Sequence, residues 1–204
     1  MDALYNSSTT LLPVSKSTRP KSIALFVTAL LLAMLASSVA VQAQTPLVVT
    51  ALNAGRFYGD PNPSFTGTIT GLRDGATITV TYSCVADPTS PVGGYLIIPT
   101  LVDPDNQLSN YTVTMNNGTL TVSPAPLSVV ADDATRAAGQ PNPAFTGTIQ
   151  GLKNGEAITA THDSPATVGS GAGTYPIVPT LKDASGTIGN YSVSISNGTL
   201  TITP

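Results

Sequence analysis

The 204-residue chain is poor in charge and in the residue types that carry most protein chemistry. Only 9% of its residues are charged, tryptophan is absent, and there is one cysteine and one histidine. A single cysteine cannot form an internal disulfide, and one cysteine with one histidine cannot supply the several ligands of a zinc site. The sequence therefore predicts a protein stabilised by packing alone, without a metal or a cofactor.

Basic surface is also missing, since the net charge is -3 and the pI is near 4.7. Nucleic-acid phosphates and anionic lipids bind proteins through clustered lysine and arginine. We therefore expect no nucleic-acid partner. A membrane contact is expected only through the N-terminal segment, if that segment stays uncleaved.

The first 43 residues have the parts of a secretory signal. A polar extension, residues 1–15, leads to a positive region at 16–21, an apolar run at 23–36 and small residues that end at Ala43. We expect cleavage after Ala43. The alternative is an uncleaved anchor, because the apolar run extends weakly to Ala40 and then approaches the length that spans a bilayer.

An ungapped internal repeat covers the rest of the chain. Residues 47–124 align with residues 127–204, and about half of the aligned positions are identical. The sequence therefore predicts two tandem modules, residues 44–124 and 125–204, behind the signal segment of residues 1–43. The linker Ser123-Pro124-Ala125-Pro126 is short and rich in proline, so we expect it to be extended and stiff and the pair to form a rod.

Apolar residues alternate with polar ones within each copy. The alternating sets of the first copy are Leu47, Val49 and Ala51; Phe65 and Ile69; Ile78, Val80 and Tyr82; and Tyr95, Ile97 and Leu101. A period of two is typical of strands, and the Gly, Pro, Asn and Asp residues between the sets indicate turns. We predict an all-β or mostly β fold with about six short strands per copy. The topology stays open between an immunoglobulin-like sandwich and a β-grasp-like sheet with one short helical turn near residues 72–75.

Asn117-Gly118 predicts a tight hairpin, because a type I′ turn needs positive φ at both central residues. Such a turn would place Met115 opposite Leu120 and Val113 opposite Val122. These four apolar side chains would then share one face with Tyr111. The second copy keeps the pattern in Val193, Ile195, Leu200 and Ile202.

Candidate catalytic residues are few. The one histidine, His162, aligns with Tyr82 in the other copy, so a duplicated hydrolytic site is excluded. We predict no catalytic residue and no enzyme. An activity lost on changing His162 or Asp163 would reverse that prediction.

Two groups of Asp and Asn side chains could bind calcium, but they are more typical of turns. Asp103, Asp105 and Asn106 lie together, but the second copy reads Asp183-Ala184-Ser185-Gly186 and loses a carboxylate. Asp132 and Asp133 align with Leu52 and Asn53, which argues against a shared cation site. We interpret these residues as turn formers and predict no metal ligand.

Three further groups of polar residues have a structural and a functional interpretation. Arg56 of the first copy and Arg136 of the second occupy equivalent positions. They could bind an acidic ligand, but the favoured interpretation is that they donate hydrogen bonds to turn carbonyls. Cys84 aligns with Ser164 and is interpreted as a small, partly buried residue. Within the repeats, four asparagines lie in glycosylation sequons and are interpreted as turn residues: Asn110, Asn117, Asn190 and Asn197.

A longer motif runs through the first copy. It comprises Tyr58-Gly59-Asp60-Pro61-Asn62-Pro63-x-Phe65-x-Gly67, then Gly71-Leu72-x-x-Gly75, Gly94-Tyr95, Asn110-Tyr111 and Asn117-Gly118-Thr119-Leu120-Thr121. This set resembles the MBG domain of Tyr-Gly-x type, a family of tandem modules in bacterial secreted and surface proteins, including adhesin-like ones. The second copy departs at Ala138, where the tyrosine of the family would stand.

The resemblance implies a bacterial protein, secreted or at the cell surface. It carries no established catalytic residues, so it implies a spacer or a binding module. The leading hypothesis is a non-catalytic structural module. The alternative is an adhesin-like module that binds a surface protein or a glycan through loops such as residues 161–173, where the copies diverge most.

Overall fold

A computed structural model describes residues 43–204, which are nearly all β-structure. The predicted signal lies outside the described residues except for Ala43. The described residues, 43–204, contain no helix that could span a membrane. Two short 3₁₀ helices, Leu108–Asn110 and Ile188–Asn190, accompany fourteen strands. The strands are β1 Thr45–Ala51, β2 Ala54–Phe57, β3 Gly67–Thr70, β4 Thr79–Ser83, β5 Gly93–Val102, β6 Tyr111–Asn116, β7 Gly118–Ser123, β8 Ala125–Ala131, β9 Ala134–Ala137, β10 Gly147–Gln150, β11 Ile158–Asp163, β12 Gly173–Asp183, β13 Tyr191–Ser196 and β14 Gly198–Thr203.

Each repeat has its own pair of sheets. Repeat one, with strands β1 to β7, has a three-stranded sheet of order β3-β1-β6 and a four-stranded sheet of order β2-β7-β5-β4. Repeat two, with strands β8 to β14, has the same two sheets in the orders β10-β8-β13 and β11-β12-β14-β9. The all-β prediction is therefore confirmed, and the paired sheets match the layers of the sandwich alternative. However, β6 runs parallel to β1 and β2 runs parallel to β7, unlike the antiparallel sheets of an immunoglobulin domain.

The core lies between the two sheets of each repeat and follows the alternation in the sequence. Along β1, Leu47, Val49 and Ala51 are buried, while the residues between them are half-buried. Successive side chains of a strand point to opposite faces, so a period of two delivers one apolar face to the core. The opposing sheet supplies buried side chains from β5 and β7: Ile97, Leu120 and Val122.

The predicted Asn117-Gly118 hairpin is wrong. Strand β6 pairs with β1 and strand β7 pairs with β2 and β5, so the chain crosses from one sheet to the other at Asn117. Neither Asn117 nor Gly118 has positive φ. Gly118 is required instead for close approach, because a Cβ atom there would lie 2.5 Å from the carbonyl oxygen of Leu52.

This crossing also corrects the predicted apolar face. Val113 and Met115 on β6 are 37% and 45% exposed, whereas Leu120 and Val122 on β7 are 0% and 1% exposed. The second copy behaves in the same way, with Val193 and Ile195 exposed and Leu200 and Ile202 buried. The chain moves from one sheet to the other at a single residue, Asn117. Side chains still alternate along each strand, but those of β6 and β7 no longer lie on one common face.

The short helical turn predicted near residues 72–75 is a β-turn. The backbone N–H of Ala76 donates to the carbonyl oxygen of Arg73 at 3.1 Å, and Gly75 has a φ of 78°. Glycine tolerates that left-handed conformation because it lacks Cβ. The 3₁₀ turn of repeat one lies further along the chain, directly before β6.

The connection between the repeats is shorter than the predicted linker. Strand β7 ends at Ser123 and β8 begins at Ala125, so Pro124 alone separates the strands of the two repeats. The side chain of Ala125 is fully buried, in a core cluster that includes Ile97 and Leu120 of repeat one and Leu127 and Tyr191 of repeat two. Residues Ala43–Pro204 form one compact unit.

Candidate functional site

The single histidine lies on a strand, next to a glycine of a neighbouring strand. His162 belongs to β11, opposite Pro179 on β12, as Tyr82 lies opposite Pro99 in repeat one. Its Nε2 atom is buried without a hydrogen-bond partner in the described region and faces Gly147. Gly67 faces Tyr82 in the same way, so the two rings fill equivalent space over a glycine. The neighbouring Asp163 is exposed.

The paired arginines bind the protein's own loops. Arg56 is 8% exposed, and its Nε donates to Asn62 Oδ1 at 2.8 Å while its Nη atoms donate to the carbonyl oxygens of Phe57 and Asp87. Asn62 in turn donates to the carbonyl oxygen of Ala86 at 2.6 Å. The guanidinium donors are thus used in holding the loop after β2 to the loop after β4, as the structural interpretation of these arginines predicted.

Repeat two contains the same network. Arg136 Nε donates to Asn142 Oδ1 at 2.7 Å, and its Nη atoms donate to the carbonyl oxygens of Ala137 at 3.1 Å and Thr167 at 2.5 Å. Asn142 donates to the carbonyl oxygen of Ala166 at 2.7 Å. Eighty positions apart, each Arg–Asn pair makes the same bonds, so the shared Pro-Asn-Pro sequence encodes a loop clamp.

The acidic loops hold turns together. Asp103 accepts hydrogen bonds from the backbone N–H groups of Gln107 at 2.9 Å and Leu108 at 2.8 Å. Its counterpart Asp183 accepts from Ser185, Gly186 and Ile188, and these backbone bonds, led by that from Ile188, lower its pKa. Among residues 43–204, no group of three or more His, Cys, Asp or Glu could hold a metal ion.

Other polar candidates have local roles as well. Asn53 Oδ1 accepts from the Thr119 backbone N–H at 2.8 Å, and Asp133 Oδ1 accepts from that of Thr199 at 2.7 Å. Asp132 accepts from the Thr146 hydroxyl at 2.7 Å. The remaining positions are the half-buried Cys84, which packs against the core, its counterpart Ser164, and the exposed sequon residues Asn110, Asn117 and Asn197.

A cluster of polar and aromatic side chains lies at the junction between the repeats. The loop Tyr58-Gly59-Asp60, called the docking loop below, leaves repeat one after β2 and contacts repeat two. The side chain of Tyr58 is 3% exposed, and its ring meets that of Tyr191 edge to face, with centroids 5.6 Å apart. This edge-to-face arrangement is one that aromatic pairs prefer.

One carboxylate joins tyrosines from both repeats. The Tyr58 hydroxyl donates to Glu156 Oε1, and the Tyr191 hydroxyl donates to Glu156 Oε2 at 2.5 Å. Tyr191 also accepts from the backbone N–H of Lys153 at 2.9 Å. Burial, followed by the hydrogen bond to Glu156, raises the pKa of Tyr191 to about 12 and also raises the pKa of Tyr58.

Further contacts surround this cluster. Lys153 Nζ forms an ion pair with Asp60 Oδ1 at 2.9 Å, and Asn190 Oδ1 accepts from the backbone N–H of Val92 at 3.0 Å. A Cβ atom on Gly59 would overlap the side chain of Lys153, so only glycine fits at this point of the docking loop. The face of repeat two formed by Lys153, Asn154, Glu156, Asn190 and Tyr191 is called the junction face below.

Sequence reasoning missed this site, although the signals were visible. Tyr58 and Glu156 belong to different repeats, and their counterparts are Ala138 and Ala76. Comparison between the copies treats such positions as divergence. A contact between non-equivalent positions of two repeats instead appears as two differences between the copies. One residue of the contact differs from its counterpart in repeat two, and the other differs from its counterpart in repeat one.

The tandem β-modules described above define the chain as a repeat protein whose copies dock on one another. The MBG domain (YGX type) family model matches residues 47–121 and again residues 127–201. The chain therefore belongs to the MBG domain (YGX type) family, as the resemblance in its sequence indicated, and is a structural repeat module of a surface-type protein. A search of curated proteins finds no significant match.

Proposed function

We propose that this protein is a non-catalytic spacer of a bacterial secreted or cell-surface protein, in which docked repeats hold a partner away from its point of attachment. The observation that carries this proposal is that the polar residues shared by the two repeats form hydrogen bonds within the protein. Arg56 and Arg136 donate to loop carbonyls, and Asp103 and Asp183 accept from turn amides. Their hydrogen bonds hold loops and turns, which supports a mechanical role.

Docking between the repeats supports the same role. A spacer has to keep its length under thermal motion, and a one-residue linker with a shared core restricts bending more than a flexible linker would. We therefore expect small-angle scattering of residues 44–204 to give an elongated particle of constant dimensions over a wide range of salt. A particle whose dimensions vary like those of two freely tumbling beads would contradict the spacer proposal.

An adhesin-like function is the second candidate, and the loop between β11 and β12 favours it. In repeat one the equivalent loop contacts repeat two through Pro88 and Val92, whereas in repeat two Val168 is 53% exposed. This loop also differs most between the copies, as a recognition loop would. A surface protein or a glycan is the class of partner that such a loop would bind.

A glycan array probed with residues 44–204 separates the two candidates. The spacer proposal predicts no saturable binding, and the adhesin proposal predicts binding through the exposed loop. The matched control replaces three loop residues by their repeat-one counterparts: Thr167→Asp, Val168→Pro and Gly169→Thr. Binding that survives this exchange would contradict recognition through the loop.

A further inference from the structure

Repeat one carries a second surface built like the junction face. Its residues stand eighty positions before those of the junction face, so Arg73 corresponds to Lys153, Asn110 to Asn190 and Tyr111 to Tyr191. They line a cavity of about 160 Å³. This surface is called the first-repeat face and consists of Arg73, Asp74, Gly75, Ala76, Gln107, Asn110 and Tyr111.

The two faces share two backbone hydrogen bonds. The backbone N–H of Arg73 donates to the Tyr111 hydroxyl at 3.1 Å, as that of Lys153 donates to Tyr191 at 2.9 Å. The turn that follows closes with a 3.1 Å hydrogen bond in both repeats and contains a glycine with positive φ, Gly75 or Gly155. The first-repeat face therefore presents the same tyrosine edge and a turn closed by the same hydrogen bond as the face that the docking loop fills. The two turns differ at one residue, since Asn154 has a φ of 53° and its counterpart Asp74 does not have positive φ.

Arg73 also supplies the charge that the docking loop needs. At the junction, Lys153 pairs with Asp60, and an arginine can pair with an aspartate through two parallel hydrogen bonds. The guanidinium now lies 5.6 Å from the ring centroid of Tyr111 and donates to Thr45 Oγ1 at 2.8 Å. The Arg73 side chain is exposed, so its movement towards an incoming carboxylate has a small cost.

Two observations exclude a second copy of this chain as the occupant. Repeat two presents Ala138-Gly139-Gln140 where repeat one presents Tyr58-Gly59-Asp60, so it has neither the ring nor the carboxylate. The docking loop of another copy is already engaged in its own junction, where Tyr58 is 3% exposed.

We infer that the first-repeat face is a docking site for the Tyr-Gly-Asp loop of an MBG module on a different protein chain. The inference does not depend on whether the chain is a spacer or an adhesin, because it concerns a face on the opposite repeat from the exposed β11–β12 loop. Under this inference, repeat one accepts the docking loop of another protein. Repeat two has no such loop to donate, so copies of this chain do not join end to end.

The sharpest test supplies the missing chemistry to repeat two. Ala138→Tyr combined with Gln140→Asp gives repeat two a docking loop on residues that are exposed. Sedimentation velocity of residues 44–204 should show a monomer for the unchanged protein and mass that rises with concentration for the double variant. Adding Ala76→Glu gives repeat one the counterpart of Glu156, the carboxylate that accepts from the tyrosine hydroxyl, and should tighten association about tenfold.

The control acts on the receiving face. Arg73→Asp, added to the double variant, places a carboxylate opposite the one that Gln140→Asp introduces and should weaken the association at least tenfold, most strongly at low salt. Association of unchanged strength with Arg73→Asp would overturn the inference, since it would run through another surface such as the edge strand β6. A double variant that stays monomeric at every concentration while the face keeps Ala76 would also overturn it.

A second measurement covers a variant that fails to fold. A peptide with the sequence of residues 57–64, added to the unchanged protein, should shift the amide resonances of Asn110 and Tyr111. The same peptide carrying Tyr58→Ala should leave them in place. The absence of any shift with the unchanged peptide would contradict a docking site on the first-repeat face.

Discussion

The docking loop and its counterpart in repeat two have the same backbone but different surroundings. Residues 58 and 138 donate their N–H groups to the last residue of strands β7 and β14, each at 2.8 Å. Gly59 and Gly139 have φ values of 80° and 78°. Yet Tyr58 is buried against repeat two, while Ala138 is exposed. The loop conformation therefore arises within each repeat, and the tyrosine and aspartate of repeat one serve the contact between repeats.

Removing the tyrosine ring should have the largest effect on this comparison. Tyr58→Ala deletes a buried ring and two of its contacts, those with Tyr191 and Glu156. We expect the free energy of unfolding to fall by about 3 kcal/mol, measured by urea denaturation. Ala138→Phe, at the exposed counterpart, should change it by less than about 0.5 kcal/mol. Equal losses at the two positions would contradict a docking role for Tyr58.

The two glycines provide a matched pair in which backbone strain is the same. Gly139→Ala should cost about 1–2 kcal/mol, because an alanine at positive φ is strained. Gly59→Ala carries that strain and also overlaps Lys153, so it should cost about 1–3 kcal/mol more. The difference between the two unfolding free energies isolates the contact. A difference near zero would mean that the docking loop can retreat from Lys153.

Alkaline pH should weaken the junction by a smaller amount. The pKa of Tyr191 is raised from its ordinary value of 10.0 to about 12, so the folded state keeps a proton that the unfolded chain loses. Stability is therefore fully present below about pH 10 and falls as the pH rises through about 12. Thermal unfolding followed across this window checks the decline.

Glu156→Gln is the control for the alkaline decline. Burial is the largest cause of the raised pKa and the Glu156 carboxylate is the second, so the amide should make the decline shallower without abolishing it. If the stability of Glu156→Gln fell with pH as steeply as that of the unchanged protein, the carboxylate would not be a cause of the raised tyrosine pKa.

The ion pair should contribute least. The side chains of Lys153 and Asp60 are 32% and 39% exposed, so water and salt screen their attraction. Lys153→Met keeps the aliphatic stem against Gly59 and should lower stability by about 0–1 kcal/mol, with less effect at high salt. Lys182→Met, on an exposed strand position, is the control for loss of a positive charge. A loss well above that range would mean that the pair is desolvated.

Local patterning allowed most strands and the duplication to be predicted from the sequence. The alternation at Leu47, Val49 and Ala51 identifies β1 because burial on one face of a strand has a period of two. The sheet assignment of β6 and β7 was not predictable in the same way. Asn117-Gly118 favours a hairpin locally, but the need for glycine comes from the carbonyl of Leu52, which is distant in sequence.

The junction was hidden for a related reason. Its chemistry depends on Tyr58 and Glu156, which meet only when two repeats dock, and each has a different residue at the equivalent position. The loop clamps of Arg56 and Arg136 repeat in both copies, so comparison of the copies found those residues. Comparison of the copies detects residues that each module requires for its own fold. It overlooks residues that are present in one copy only because they contact the other copy.

Docking of the two repeats through Tyr58 and Glu156 is tested most directly by residual dipolar couplings on residues 44–204. Couplings from both repeats should fit one alignment tensor, and Tyr58→Ala should split them into two tensors of different magnitude. Two independent tensors in the unchanged protein would contradict the docked junction and leave repeats joined only by their linker.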